Sequence, residues 1–272
     1  MSKLSPIGVV FLTTALVPAM AAALPSTAAR TPMAKFRALT VESPTLARHI
    51  RAGILSGPAF LKAQKKARQG DVKAEFDLGR SYFDTATLHK QNAQKNIALG
   101  VRWYRQAALH GYAPAQTRLA GAYLSGVGVS QNTTAALAWL RRAAAQKYAS
   151  AEGELGNLYL AGLYVPVNTQ KGLRLIRDAA RQGDTASEMG LGFMYVTGGA
   201  HVPKNYTKAT RWLLLAKASG KKMGITLPIV TDMLRVAEAH LSRTQISQVQ
   251  QEVRKDQAAQ SLYTKNTPGP LH

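Results

Sequence analysis

Between about residues 70 and 220 the large apolar side chains fall on helical stripes that return with a steady period. Ala74, Leu78 and Tyr82 are matched in register by Ala115, Leu119 and Tyr123, by Ala151, Leu155 and Tyr159, and by Ser187, Leu191 and Tyr195. Offsets of 0, 4 and 8 put each trio on one side of a helix. A second cluster follows each trio: Trp103, Trp139, Leu175 and Trp212, with alanine four residues further on at Ala107, Ala143, Ala179 and Ala216. The tyrosines recur at spacings of 41, 36 and 36, and the second-cluster anchors at 36, 36 and 37. The pattern predicts four helix hairpins. None can bury its stripe alone, so stability is expected to come from stacking on neighbours. The leucines, tyrosines and tryptophans of both stripes, with Leu175, are the candidate core.

Polar and small positions agree with that phase. Gly79, Ala120, Gly156 and Gly192 sit on the first stripe, where two backbones could approach closely. Asn96, Asn132, Asn168 and Asn205 each lie seven residues before an anchor, where the N-cap of a second helix belongs. Gly111, Lys147, Gly183 and Gly220 lie eight residues after the anchors, at the expected helix stop. Glycine-bearing turns at Ser125 to Val129 and Ala161 to Val165 would join the arms. The first unit has 21 residues from Tyr82 to Trp103 against 16 in the next two, which predicts a longer loop around Thr85 to Lys95 and a candidate contact site.

Outside the repeats, Pro58 to Gln69 reads as a half-repeat closing the N-terminal side. Residues 229 to 241 and 245 to 262 read as amphipathic capping helices, the second N-capped by Thr244. At the N-terminus Lys3, an apolar run from Ile7 to Val17 and the small residues Ala19 to Ala23 have the order of a secretory signal peptide, cut after Ala21 or Ala23; an uncleaved anchor is the alternative. No other segment approaches the length of a membrane span. The expected organisation is a signal peptide over 1–23, a linker with a short helix over 24–53, the repeat array over 54–224, capping helices over 225–263 and a disordered tail over 264–272.

The motif Ala-x-x-x-Leu-Gly-x-x-Tyr, a Gly-containing loop, then Trp-Tyr-x-x-Ala-Ala-x-x-Gly resembles the Sel-1-like repeat, a relative of the tetratricopeptide repeat. The likeness covers about residues 70 to 220 in four units. Unit three departs with Leu175 and Ile176 in place of aromatics, and unit four with Lys217 for the second alanine. The resemblance implies an all-α, right-handed α-solenoid and a scaffold or adaptor role mediating protein–protein interactions, often at membranes or in bacterial envelopes. It implies no catalytic residues.

Composition narrows the chemistry. With no cysteine, disulfides, thiolate metal sites and a cysteine nucleophile are excluded. The six histidines are scattered, with no pair at ligand spacing and no neighbouring acid in the chain, so no metal site, cofactor, catalytic group or small-molecule substrate is expected. Lys and Arg number 35 against 14 Asp and Glu, a formal net charge of +21. From Thr85 to Ala151 there is no acid at all. Arg105, Arg141 and Arg177 each follow an anchor by two residues, and Arg102, Arg118 and Arg142 lie in or beside the same stretch. Two readings stand: an ordinary solvated position, or a strip that docks anionic groups through guanidinium forks. The function expected is an exported scaffold, periplasmic or secreted in a bacterium, meeting a protein partner with an acidic surface. The alternative partner is an anionic polymer such as polysaccharide, lipopolysaccharide or nucleic acid.

Overall fold

The structure, a computed structural model, describes residues 57–88, 92–199 and 202–266. The expected signal peptide, the linker and its short helix lie outside the described residues. Those described form eleven helices and no strand: α1 Pro58–Arg68, α2 Val72–Leu88, α3 Ala93–Leu109, α4 Ala113–Ser125, α5 Thr133–Ala145, α6 Ala149–Ala161, α7 Thr169–Arg181, α8 Thr185–Thr197, α9 Tyr206–Lys222, α10 Pro228–Glu238 and α11 Arg243–Asn266. They fall into two compact units that divide between Gln146 and Lys147.

In the first unit α1 packs on α2, the hairpin α2/α3 follows, and α3 packs on α4 of the hairpin α4/α5. In the second, the hairpins α6/α7 and α8/α9 stack through α7 on α8, while α10 and α11 both pack on α9. Each hairpin closes where small residues let backbones meet. A Cβ added to Gly100 would lie 3.0 Å from the Gly79 carbonyl oxygen, and one added to Gly172 would lie 2.8 Å from that of Gly156. Ala120 with Ala136, and Gly192 with Ala209, hold the same places in the other two hairpins, and both alanines of the second helices are fully buried.

The cores form around the first-helix leucines. Leu78, Leu119 and Leu191 are wholly inaccessible and Leu155 nearly so; full burial of such a side chain stabilises by about 1.5–3 kcal/mol. On the second helices the innermost residue is the one after each anchor: Tyr104, Leu140, Ile176 and Leu213 are buried. Trp103, Trp139 and Leu175 are half-buried, as are Tyr82 and Tyr123, whereas Tyr159, Tyr195 and Trp212 are buried. The half-buried aromatics pack against the edges of the clusters; Tyr82, for instance, meets Phe60 of α1 edge-on with ring centroids 5.8 Å apart.

Helix ends follow the polar punctuation in most places. The side chains of Asn132, Asn168 and Asn205 accept from the backbone N–H of Ala135, Lys171 and Lys208, each at 2.9 Å. Gly111, Lys147 and Gly183 take left-handed backbone at φ 87°, 59° and 85°.

Four expectations need correction. The extra residues of the first unit lengthen its helices, α2 running to Leu88 and α3 starting at Ala93, so Asn96 lies inside α3 and the cap position is Asn92, without a side-chain bond. Gly220 is internal to α9, and the left-handed stop is Gly224 at φ 69°; a Cβ on Gly220 would meet Leu227 at 2.9 Å, so this glycine serves close packing of the returning chain. The cap of α11 is Ser242, whose hydroxyl accepts from Gln245 N–H while Gln245 Oε1 accepts from Ser242 N–H, a reciprocal box in place of the expected Thr244. Finally, α11 continues to Asn266, beyond the start of the expected tail at Thr264.

Candidate partner-binding surface

Five of the six candidate arginines lie on second helices, whose outer faces are the more exposed part of each hairpin. Arg102 on α3 and Arg141 and Arg142 on α5 are exposed. Arg142 lies over the Trp139 ring, 4.7 Å from its centroid, a cation–π contact that leaves its guanidinium N–H donors in reach of an anion. Arg105 and Arg177 are only half-exposed. Each spends one guanidinium N–H on the next repeat: Arg105 donates to the Tyr123 hydroxyl at 3.1 Å, and Arg177 to the Tyr195 hydroxyl at 3.2 Å. At this position the arginine is thus not a freely solvated side chain but ties one repeat to the next. Arg118, on α4, is half-buried and its charge reaches the Tyr104 phenol, whose pKa burial pushes up and Arg118 draws partly back. Like Arg105 and Arg177, it is less exposed than Arg102, Arg141 and Arg142. Burial likewise raises the Tyr112 phenol, with the Asp77 carboxylate adding to it.

A row of buried polar groups is the feature that sequence reasoning missed. The residue after the first stripe position is Glu75, Gln116, Glu152 or Glu188, and all four are buried. In three hairpins this group reaches the C-cap residue of its partner helix. Glu75 Oε2 lies 3.0 Å from His110 Nδ1; Gln116 Oε1 accepts from Gln146 Nε2 at 2.8 Å; Glu152 Oε2 accepts from Gln182 Nε2 at 2.6 Å, with Lys147 Nζ 3.5 Å from its other oxygen. Such a bond pins the open end of the hairpin, and its loss would strand a buried polar group. The spacing of 41, 36 and 36 shared with the tyrosines was the available signal. His110 does have an acid beside it, contrary to the expectation from the linear chain, because the fold brings Glu75 across from the preceding helix. Among the described residues no group of three or more potential ligands gathers that could hold a metal ion, and no helix is long and apolar enough to cross a membrane.

These repeats match the family model of the Sel1 repeat at residues 72–112, 113–148, 149–184 and 185–221, more than half of the chain. No curated protein matches. Among solved structures, a Sel1 repeat protein from Oxalobacter formigenes is 30% identical, over 48% of this chain and 94% of that one, with a TM-score of 0.42. The protein c5321, a protective antigen present in uropathogenic Escherichia coli strains and displaying an SLR fold, is 23% identical over 77% of this chain, which spans about half (51%) of it, with a TM-score of 0.44. The period, the small residues at the hairpin crossings and the four matched segments agree, and the chain belongs to the Sel1 repeat family.

Proposed function

We propose that this chain is an exported scaffold that presents a basic surface of its second helices to an acidic protein partner. Sel1 repeats generally mediate protein–protein contacts as scaffolds, and the family is typically non-enzymatic. The observation that carries the finer reading is the absence of any acid from Thr85 to Ala151, across which Arg102, Arg141 and Arg142 stand exposed. A surface rich in charge of one sign steers an oppositely charged partner and raises its encounter rate. Export rests on the N-terminal order of Lys3, Ile7 to Val17 and Ala19 to Ala23.

Capture from native envelope extract at two salt concentrations tests both halves. Reversing Arg102, Arg141 and Arg142 to glutamate is expected to weaken capture by about tenfold or more, about 1.4 kcal/mol or above, with helicity unchanged. These three are the right choice because they make no bond to a tyrosine of the next repeat. Unchanged capture would overturn the basic-surface reading. Recovery of polysaccharide or nucleic acid in place of protein, with affinity falling steeply with salt, would replace the acidic partner by an anionic polymer.

A further inference from the structure

The turns inside the α4/α5 and α6/α7 hairpins are built alike, with one exception. In the α4/α5 hairpin, Gly126 and Gly128 both take left-handed backbone, at φ 69° and 74°. In the α6/α7 hairpin the same two positions are Gly162 at φ 64° and Tyr164 at φ 62°. Left-handed backbone is costly for a bulky L-residue and free for glycine. The chain thus accepts strain to hold an aromatic ring at the tip of this loop. Tyr164 is 51% exposed, and Val167, three residues on, is 59% exposed. Between them Val165 is buried and anchors the loop. A half-exposed aromatic held in costly backbone is a candidate contact for a partner outside the chain.

What lies around the tip selects the partner. Within the second unit, α6 and α8 lead to one end and α7 and α9 return from it, so the α6/α7 and α8/α9 loops leave at the same end. That end carries Lys171, in the first turn of α7, and Lys204 and Lys208, before and inside the first turn of α9; both of the latter are exposed. No Asp or Glu occurs from Leu155 to Arg177 or from Met189 to Thr231. Among the described residues the carboxylates near this end are Glu238, at the close of α10, and Asp256 of α11, which Arg211 in the second turn of α9 holds at 2.8 Å. The exposed apolar tip shares its end with these three lysines, of which Lys171 also donates to the Tyr159 hydroxyl at 2.8 Å and Lys208 lies 5.6 Å from the Tyr195 ring centroid. Such an end has the form that inserts into a soft apolar layer under a negative surface: tyrosine settles at headgroup depth and lysines pair with anionic headgroups. We infer that the Tyr164–Val167 loop end of the second unit docks on an anionic lipid bilayer. This inference does not rest on the arginine surface, which lies on other residues.

Because the chain has no cysteine, the full-length protein carrying Pro166→Cys can be labelled with an environment-sensitive fluorophore at that site alone. Attachment through the apolar run at residues 7 to 17 would not depend on Tyr164, so Tyr164→Gly separates it from docking by the loop. Vesicles of mixed phosphatidylcholine and phosphatidylglycerol are expected to raise emission about twofold with a blue shift, as entry into the headgroup region requires. Vesicles of phosphatidylcholine alone should give little change. Arg181→Cys, exposed at the opposite end of α7, labelled in the same way, should not respond. Adding Tyr164→Gly should abolish the response while thermal stability holds or rises, since glycine relieves the backbone. Silence of the Pro166→Cys label on anionic vesicles, an equal response on neutral ones or at Arg181→Cys, persistence after Tyr164→Gly, or an equal response to poly-aspartate would each overturn the inference, the last in favour of an acidic protein.

Discussion

The α4/α5 and α6/α7 hairpins share one frame and treat its free positions differently. Both close over small residues, cap their second helix with an asparagine and stop at a left-handed residue eight places after the anchor. In the first, the polar bridge is neutral, Gln116 to Gln146, and α5 carries arginines with no acid on the helix. In the second, the bridge is a buried carboxylate shared by Gln182 and Lys147, and α7 sets Arg181 against Asp178 at 3.2 Å. The loop tip is glycine in one and tyrosine in the other. Geometry holds the positions where two backbones or a helix end leave one solution. Chemistry is free to differ where only hydrogen-bonding or exposure is required.

The crossing glycines offer the largest way to break that likeness. Gly172→Val places branches where a Cβ already lies 2.8 Å from the Gly156 carbonyl oxygen and from Leu160. The α6/α7 hairpin should lose about 3 kcal/mol, lowering Tm by roughly 6–12 °C in a thermal melt. At the equivalent Ala136 of α5 the change to glycine should cost only about 1 kcal/mol, as a helix propensity loss. Equal effects would show that the two crossings are not of one kind.

The bridges come next. Gln182→Ala leaves the Glu152 carboxylate, 1% exposed, with less to hold it and should cost about 2–3 kcal/mol in denaturant unfolding. Gln146→Ala should cost about 1 kcal/mol, because neutral Gln116 keeps its bond to the Ala108 carbonyl at 3.2 Å.

A pH series separates α3 from α7, where Tyr104 and Ile176 hold the same inner position. Burial raises the Tyr104 phenol above its ordinary value near 10. The unfolded chain therefore ionises first as pH climbs. Stability is full below about pH 10 and falls above it, by up to about 1.4 kcal/mol per pH unit. Tyr104→Phe should move the alkaline unfolding midpoint upward, and an unmoved midpoint would assign alkaline unfolding to other groups.

Smallest are the caps. Asn132→Ala and Asn168→Ala should each cost about 1 kcal/mol, and Asn96→Ala nothing or a slight gain, since Asn96 is inside α3.

The stripe and cap positions of the repeats were legible because each is set by local geometry: a helix phase, a first-turn N–H seeking an acceptor, a carbon-free φ. What escaped were positions whose meaning depends on a second helix. Gly100 and Gly172 carry no signal of their own in the chain; their role shows only where Gly79 and Gly156 come against them. Glu75 and His110 stand 35 residues apart in the chain and 3.0 Å apart in the fold. The extra residues near Thr85 looked like loop because a count of residues does not say whether a helix extends or a turn widens.

By itself, then, the sequence determined the repeat, its helical hairpins, the capping roles of Asn132, Asn168 and Asn205 and the acid-free stretch, because periodicity and charge are properties of order along the chain. The tertiary structure alone decided which apolar residue of each pair lies innermost, that Arg105 and Arg177 bind the tyrosine of the next repeat, that Glu75, Gln116 and Glu152 pin the hairpin ends, and that Tyr164 is held out in strained backbone. Those choices turn on distances between elements, and such distances exist only once helices have packed.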